Sequence, residues 1–299
     1  MRRLLFHGLF CVIFYHILHI LYGGIWEVTM KARRWRWLVL FVVAILFSAS
    51  MESIIRERAR ASVLQADTGT TMAFRRQYVS LQLYEALTKK TKSKSEFSRV
   101  LTSSMLNGDF CPKELSFDSS PYIKYKRQEF YKLQKLYEAI WCDVACFPLA
   151  GGAFSYEDTF GAPRTYGGDR IHEGTDLFGE KEVSGYYPVL SMTDGVVEQA
   201  GWLPLGGYRL GIRAEGGAYF YYAHLSQYER EFTEGEAVSA GDILGYMGNT
   251  GYGQEGTAGK FPVHLHLGIY ITTEEHPELS VNPYWILRAA EKKMRKYIY

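Results

Sequence analysis

Cysteine is scarce in this 299-residue chain, which contains four. Cys11 lies in an apolar run near the start, and Cys111, Cys142 and Cys146 are an odd number that cannot all pair within one molecule. The stretch CDVAC (142–146) is not a C-x-x-C pair, and no second pair accompanies it. This pattern argues against a cysteine zinc site.

Basic residues are scarce in the C-terminal half. Residues 151–290 contain 19 acidic side chains against 8 Lys and Arg, whereas the rest of the chain contains 26 Lys and Arg against 13 acidic. A nucleic-acid-binding face needs clustered Lys and Arg, so no nucleic-acid partner is expected there. The basic segments on either side of residues 151–290 are better suited to contact an anionic membrane surface. A hydrophobic content of 47% without a visible repeat predicts a globular protein.

Two apolar segments, 4–22 and 37–51, lie near the N-terminus, and the second directly follows the basic run KARRWRW. This layout is typical of a signal peptide or signal anchor whose basic side stays in the cytoplasm. If both segments spanned, the basic loop between them would lie outside, against the positive-inside tendency, so Met30 is expected to be the true start. We expect an uncleaved single-pass anchor with the C-terminal domain outside the cytoplasm. The stretch SAS (48–50) would also permit cleavage and secretion.

Composition divides the chain into four predicted segments. The apolar anchor region covers 1–51, a helical juxtamembrane region covers 52–147, a β-rich domain covers 148–285 and a basic helix covers 286–299. Within the helical region, EFYKLQKLYEAIW (129–141) predicts an amphipathic helix, and its apolar stripe is expected to be core or a coiled-coil seam, with a groove for a protein partner as the alternative. The stripe consists of Phe130, Leu133, Leu136, Tyr137 and Ile140.

From Pro148 onward, glycine turns separate short β-branched and aromatic runs. The runs PVLSM, GVVEQAGW, YRLGIRA and YFYYAHL are each short enough for a strand in a compact sheet or barrel. The pattern predicts a mainly β domain of antiparallel strands. In FPVHLHLGIY (261–270), the alternation of a strand would place His264 and His266 together on one face, opposite Val263, Leu265 and Leu267.

A second histidine motif lies in RIHEGTDLFG (170–179), where three residues separate His172 from Asp176. Zinc binds imidazole nitrogen and carboxylate oxygen, and catalytic zinc sites have three protein ligands and one open position. His172, Asp176 and one histidine of the 264/266 pair would supply three ligands. The other histidine of the pair and His224, in YFYYAHLS, would then lie beside the bound water.

Each motif alone has a simpler explanation. H-x-x-x-D recurs by chance, H-x-H fits a solvated strand face, and His224 after an aromatic strand fits a hydrogen-bonded structural group. His276, in TEEHPEL, fits an ordinary loop residue. The metal interpretation gains support because the motifs occur together in one small β-rich region behind an export signal.

The motifs HEGTD, YYAHLS and HLH, in this order, resemble those of the M23 zinc metallopeptidases, the lysostaphin or LytM type. The resemblance covers roughly residues 148–285 and extends to TDGVVEQAGW and GEAVSAGDILGYMGNTG. It implies a compact, LytM-like antiparallel β domain with zinc in a groove. The loop GYGQEGTAGKFPV (251–263) is longer than the family's usual approach to its last motif, which bears on substrate specificity more than on catalysis.

Carried over residue by residue, the resemblance makes His172, Asp176 and His266 the zinc ligands and His224 and His264 the catalytic imidazoles. All five positions are filled. Tyr221 and Tyr222 could also reach the groove, but at least one of the two is expected to be core.

The resemblance implies an exported, membrane-anchored zinc metalloendopeptidase that hydrolyses peptide bonds in peptidoglycan stem peptides or cross-bridges. One alternative is a non-catalytic module that binds peptidoglycan or a protein partner in cell-wall or spore morphogenesis, with residues 52–147 as the interacting part. A second alternative is a metallopeptidase that acts on proteins. Intact ligand positions count against the first alternative.

Overall fold

The structure, a computed structural model, describes residues 30–165 and 168–297, so the apolar segment 4–22 and Cys11 lie outside the described residues. The chain divides after Ala59 into two compact units. Helix α1 (Met30–Ser62) includes a stretch, Trp35–Ser62, that is long and apolar enough to cross a membrane by length and composition. No other helix in the described part of the chain meets this criterion.

The second unit begins with helices that follow clear start signals. Ser80 and Ser93 cap two of them, because their hydroxyls accept hydrogen bonds from the backbone N–H groups of Leu83 and Glu96. The helices are α2 (Met72–Arg75), α3 (Leu81–Lys90), α4 (Lys94–Asn107), α5 (Ser120–Tyr125) and α6 (Arg127–Trp141).

The amphipathic stripe predicted in the 129–141 segment faces the core of the unit. Four of its members are at most 2% exposed, and Leu136 packs partly buried against them. The core interpretation of this helix is therefore confirmed. The four are Phe130, Leu133, Tyr137 and Ile140.

The remaining chain is mainly β-strand. The strands are β1 (Phe154–Ser155), β2 (Pro163–Arg164), β3 (Arg170–Ile171), β4 (Gly174–Gly179), β5 (Pro188–Leu190), β6 (Gly195–Leu203), β7 (Gly207–Ala214), β8 (Tyr219–Tyr228), β9 (Ala237–Val238), β10 (Ile243–Met247), β11 (Leu265–Ile271) and β12 (Leu279–Val281). They form a ten-stranded antiparallel sheet with a separate two-stranded hairpin, which confirms the predicted mainly β domain of antiparallel strands. The main path runs β1-β4-β11-β8-β7-β6-β9; β10 pairs with β5 and β8, β12 pairs with β11, and β2 pairs with β3.

Helices and sheet share one hydrophobic core. The Arg75 side chain donates to the carbonyl of Ser280 at 2.8 Å and to its hydroxyl at 2.6 Å, which ties α2 to β12. Helix α7 (Tyr284–Ala290) closes the unit, and its buried Ile286 and Leu287 join the same core.

The described cysteines, Cys111, Cys142 and Cys146, are all unpaired. Burial raises the pKa of Cys142 to about 12 and that of Cys146 to about 11, so neither forms a thiolate readily at neutral pH.

Candidate metal centre

Three of the predicted site residues meet where strand β4 pairs with β11. His266 lies directly across from Asp176 in the antiparallel register, and His172 precedes β4 by two residues. The strand alternation has the predicted effect, because Leu265 and Leu267 are fully buried in the core while His264 and His266 join the cluster on the other face.

The three nearest donor atoms form a small triangle. His172 Nε2 lies 3.1 Å from Asp176 Oδ1 and 3.1 Å from His266 Nδ1, and His266 Nδ1 lies 2.8 Å from Asp176 Oδ1. Ligands of a tetrahedral zinc ion at about 2.0–2.2 Å lie about 3.3–3.5 Å from one another, so the triangle needs to open only slightly. His172, Asp176 and His266 therefore fit a metal ion in both chemistry and spacing.

A second set of contacts orients two of these three side chains, His172 and Asp176. The hydroxyl of Thr159 lies 2.9 Å from His172 Nδ1, and the Arg164 guanidinium donates to Asp176 Oδ2 at 2.9 Å. These partners leave His172 Nε2 and Asp176 Oδ1 to face the centre, an arrangement typical of metal ligands.

The pKa shifts favour a carboxylate at Asp176 and a neutral imidazole at His172. Burial opposes ionisation of Asp176, but the hydrogen bonds from His172 and His266 outweigh it and hold the pKa of the carboxyl well below its usual range. Burial lowers the pKa of His172, which keeps that ring neutral. A metal ion needs ligands in these protonation states.

Gly174 makes room for one of the rings. A Cβ atom at this position would lie 2.7 Å from Cε1 and Nε2 of His266 and 2.4 Å from the carbonyl oxygen of Leu267. The glycine in HEGTD therefore serves the close approach of β4 to β11 rather than a turn.

A β-bulge positions His224. Tyr208 of β7 pairs with Leu225, and Leu210 pairs with Tyr222, so Ala223 and His224 together face one residue of β7. His224 adopts a φ of 62°, a left-handed conformation that costs roughly 1–2 kcal/mol for a residue with a side chain. Such strain is typical of positions held by function.

The two predicted catalytic imidazoles lie beside the triangle and are held by backbone carbonyls. His224 Nδ1 lies 2.8 Å from the carbonyl oxygen of Thr250, and His264 Nδ1 lies 2.8 Å from that of Pro262. Because a carbonyl only accepts hydrogen bonds, Nδ1 carries the hydrogen in both rings and Nε2 is left as an acceptor. His264 Nε2 lies 3.7 Å from Asp176 Oδ1.

Burial keeps this pair neutral. Desolvation, with the neighbouring rings of His264 and His266, lowers the pKa of His224 to about 3, and burial also lowers the pKa of His264. The ring centroids of His224 and His264 are 4.8 Å apart. Two neutral rings with free Nε2 atoms next to a metal site can accept a proton from a water molecule there.

All five residues line one groove of about 1200 Å³. The loop singled out as longer than usual contributes Tyr252, Phe261 and Pro262 to the wall, and Phe261 packs edge-on against His224 at 4.5 Å between centroids. Tyr221 lines the groove, whereas Tyr222 is fully buried and its hydroxyl accepts a hydrogen bond from the backbone N–H of Met192 at 2.8 Å. The prediction that at least one of these tyrosines is core is confirmed.

Several site residues carried no signal in the sequence. Thr159 and Arg164 lie in a glycine-rich stretch read only as turns, and Thr250 and Pro262 act through backbone carbonyls that any residue type could supply. The role of Gly174 likewise follows only from its close approach to His266.

The chain is similar in sequence to known peptidases. The model of peptidase family M23 matches residues 170–279. An L-Ala–D-Glu endopeptidase of Bacillus subtilis is 44% identical over 165 residues, which are 55% of this chain and 49% of that protein. Lysostaphin of Staphylococcus staphylolyticus is 36% identical over 84 residues, which are 27% of this chain and 16% of that protein. This chain therefore spans about half the length, or less, of these curated relatives.

One solved structure is similar over most of its length. It is a protein of Ruminococcus gnavus provisionally named as a glycyl-glycine endopeptidase LytM, and it is 44% identical to this chain, with a TM-score of 0.65. The match covers 77% of this chain and 94% of that one, so it extends beyond the β domain. On these grounds the chain belongs to peptidase family M23.

Proposed function

We propose that this protein is a zinc metalloendopeptidase that hydrolyses peptide bonds in peptidoglycan. The observation that supports this most directly is the constellation in the groove: a triangle of three donor atoms with edges of 2.8–3.1 Å, flanked by two neutral imidazoles with free Nε2 atoms. A structural metal site would need neither the groove nor the additional pair of rings.

In this proposal His172, Asp176 and His266 hold the zinc ion, and His224 and His264 are the catalytic imidazoles. A bound zinc ion would supply a Lewis acid that acidifies a water molecule and polarises the scissile carbonyl. One imidazole accepts the water proton at Nε2 and passes it to the amine that leaves. The other takes up a proton from solvent at its own Nε2 and then donates a hydrogen bond to the developing oxyanion. The two rings have equivalent backbone partners, so either assignment of these roles fits.

The substrate class comes from the relatives. One is named for cleavage between L-Ala and D-Glu and another for cleavage between glycines. Both names describe endopeptidases, and we propose stem peptides or cross-bridges of peptidoglycan as the substrate. The acidic balance of residues 151–290 is consistent with a substrate other than nucleic acid.

We further propose that α1 anchors the protein in the membrane, with the groove on the extracytoplasmic side. The basic run before the apolar stretch predicts this orientation. Protease treatment of intact protoplasts should degrade the β domain and leave a protected fragment that includes residues 37–51. Protection of the β domain would contradict this orientation.

The experiment that tests the enzymatic proposal uses the full chain purified in detergent. Zinc content is measured by elemental analysis, and the purified protein is incubated with isolated peptidoglycan, with and without a chelator. The fragments released are analysed by mass spectrometry. We expect about one zinc ion per chain and chelator-sensitive release of new amino groups, and the fragments identify the bond.

His276→Ala is the matched control, because His276 lies in an exposed loop outside the groove. This variant should retain both zinc and activity, whereas Asp176→Ala should lose both. A chain that binds zinc stoichiometrically but releases no fragment would contradict the enzymatic proposal and favour a binding module.

A further inference from the structure

A buried arginine that lines the groove has no role in the chemistry described above. Arg209, in β7, is 8% exposed and lines the same groove as the metal centre. Its Nη2 donates to the Gln199 side-chain oxygen at 2.9 Å, but its buried Nη1 has no hydrogen-bond partner in the part of the chain that the structure describes. Among the described residues, no carboxylate forms an ion pair with it.

One acidic side chain of the groove, Glu198, is already engaged. Glu198, which also lines the groove, binds the guanidinium of Arg213 through both carboxylate oxygens, at 2.5 and 2.6 Å. Gln199 is a neutral partner and offsets no charge. A guanidinium that is more than nine-tenths buried normally has an anionic partner, because desolvating a charge is costly.

The strand register places Arg209 relative to the metal centre. His266 of β11 pairs with Ala223 of β8, and Arg209 is the β7 residue that faces the bulge formed by Ala223 and His224. Two strand spacings separate the backbones of His266 and Arg209, which is about 10 Å. An extended peptide covers this distance in about three residues.

The groove surface between the metal centre and Arg209 is suited to binding a peptide. Tyr221 lies on β8, the strand between β11 and β7, and its ring is edge-on to that of His266 at 6.1 Å between centroids. The groove floor thus runs from the metal centre over an aromatic surface to a cation.

We propose that Arg209 binds a free carboxylate of the substrate, about three residues away from the bond that is cut. The inference rests on the proposed peptidase function and adds a specificity determinant to it. A carboxylate would accept hydrogen bonds from the guanidinium and form an ion pair with it, which no acidic side chain in residues 30–165 and 168–297 does. The carboxylate belongs either to an acidic side chain or to the C-terminus of the peptide.

The test compares pairs of synthetic peptides that contain a bond cut in peptidoglycan. One member of each pair carries a free side-chain carboxyl or a free C-terminus, and the other carries the corresponding amide. The ratio of kcat/KM values is measured for the wild type, Arg209→Lys and Arg209→Gln. The wild type should prefer one carboxylate by about 10- to 100-fold, the range for hydrogen bonds to charged groups.

Arg209→Gln should lose this preference by cleaving the carboxylate peptide as slowly as the amide. Arg209→Lys should retain part of the preference for the carboxylate, because the positive charge remains but the planar guanidinium is lost. Arg230→Gln, at an exposed arginine outside the groove, is the matched control and should behave as wild type. The proposal is overturned if Arg209→Gln reduces kcat/KM equally for both members of a pair. It is also overturned if the wild type shows no preference for either carboxylate.

Two further readouts separate this inference from the proposed function and from a structural role. Equilibrium binding of the same peptides, measured by isothermal titration calorimetry, should show the same preference even if no bond is cut. Thermal unfolding of Arg209→Gln should occur at or above the wild-type temperature, because the variant loses an uncompensated buried charge. A lower Tm combined with unchanged selectivity would show that Arg209 is structural.

Discussion

Replacement of Gly174 by alanine is expected to weaken metal binding through a single added methyl group. The new Cβ would lie 2.7 Å from two atoms of the His266 ring and 2.4 Å from the carbonyl oxygen of Leu267. Ordinary contacts of a Cβ atom begin at about 3.4 Å, so the ring or the strand must move by roughly 0.7–1 Å. The ring can rotate, but the carbonyl belongs to the backbone of β11 and yields only if the two strands separate.

A shift of this size exceeds what a metal site tolerates. Ligand distances of a functional site fall within about 0.2 Å of their ideal values. Mutations that disturb the orientation of a ligand typically reduce metal affinity 10- to 100-fold. We expect a loss of at least 10-fold in zinc affinity for Gly174→Ala, with a decrease of about 1–3 kcal/mol in the free energy of unfolding from overpacking.

The assay is a competition titration with a chromophoric zinc chelator, accompanied by denaturant unfolding in excess chelator. The two measurements separate the effect on the ligand from the effect on the fold. Thr175→Val is the matched control, because Thr175 is fully buried and its hydroxyl has no hydrogen-bond partner within the described ranges of the chain. This control should keep wild-type zinc affinity and should not be less stable. Unchanged zinc affinity in Gly174→Ala would refute the reasoning.

The remaining predictions concern the partners of the site. Arg164→Gln should lower zinc affinity roughly 10-fold in the same titration, because Asp176 Oδ2 loses the donor that orients it; an increase would mean that repulsion between the arginine and the metal dominates. His224→Ala should bind zinc within a factor of about three of the wild type and lose at least 100-fold in turnover, measured by fragment release from peptidoglycan; full activity would exclude a catalytic role. Tyr222→Phe should reduce the free energy of unfolding by about 1–3 kcal/mol in urea, because the buried N–H of Met192 loses its acceptor, and an unchanged stability would indicate that another group replaces the hydroxyl.

The sequence was informative wherever local spacing determines position. Alternation along 261–270 was sufficient to place His264 and His266 on one face, and helical spacing was sufficient to identify the core stripe around Tyr137. Strand and turn composition also predicted an antiparallel β domain.

The rest depends on contacts between distant parts of the chain. Nothing local to Thr250 shows that its carbonyl receives the Nδ1 hydrogen of His224, 26 residues earlier. The bulge that turns His224 toward the groove is a property of the β7–β8 pairing rather than of either strand. The charge of Arg209 is ordinary in sequence and becomes unusual only once its burial and its missing partner are known.

The narrow donor triangle also has a consequence for ion selectivity. Calcium prefers six to eight oxygen ligands at about 2.3–2.6 Å, and magnesium demands near-octahedral oxygen coordination. Two imidazole nitrogens and one carboxylate oxygen held 2.8–3.1 Å apart satisfy neither ion, although both are abundant outside cells. The same arrangement suits a small divalent ion that accepts nitrogen ligands and low coordination numbers. If the triangle binds zinc as proposed, its donor set therefore selects against calcium and magnesium before any substrate arrives.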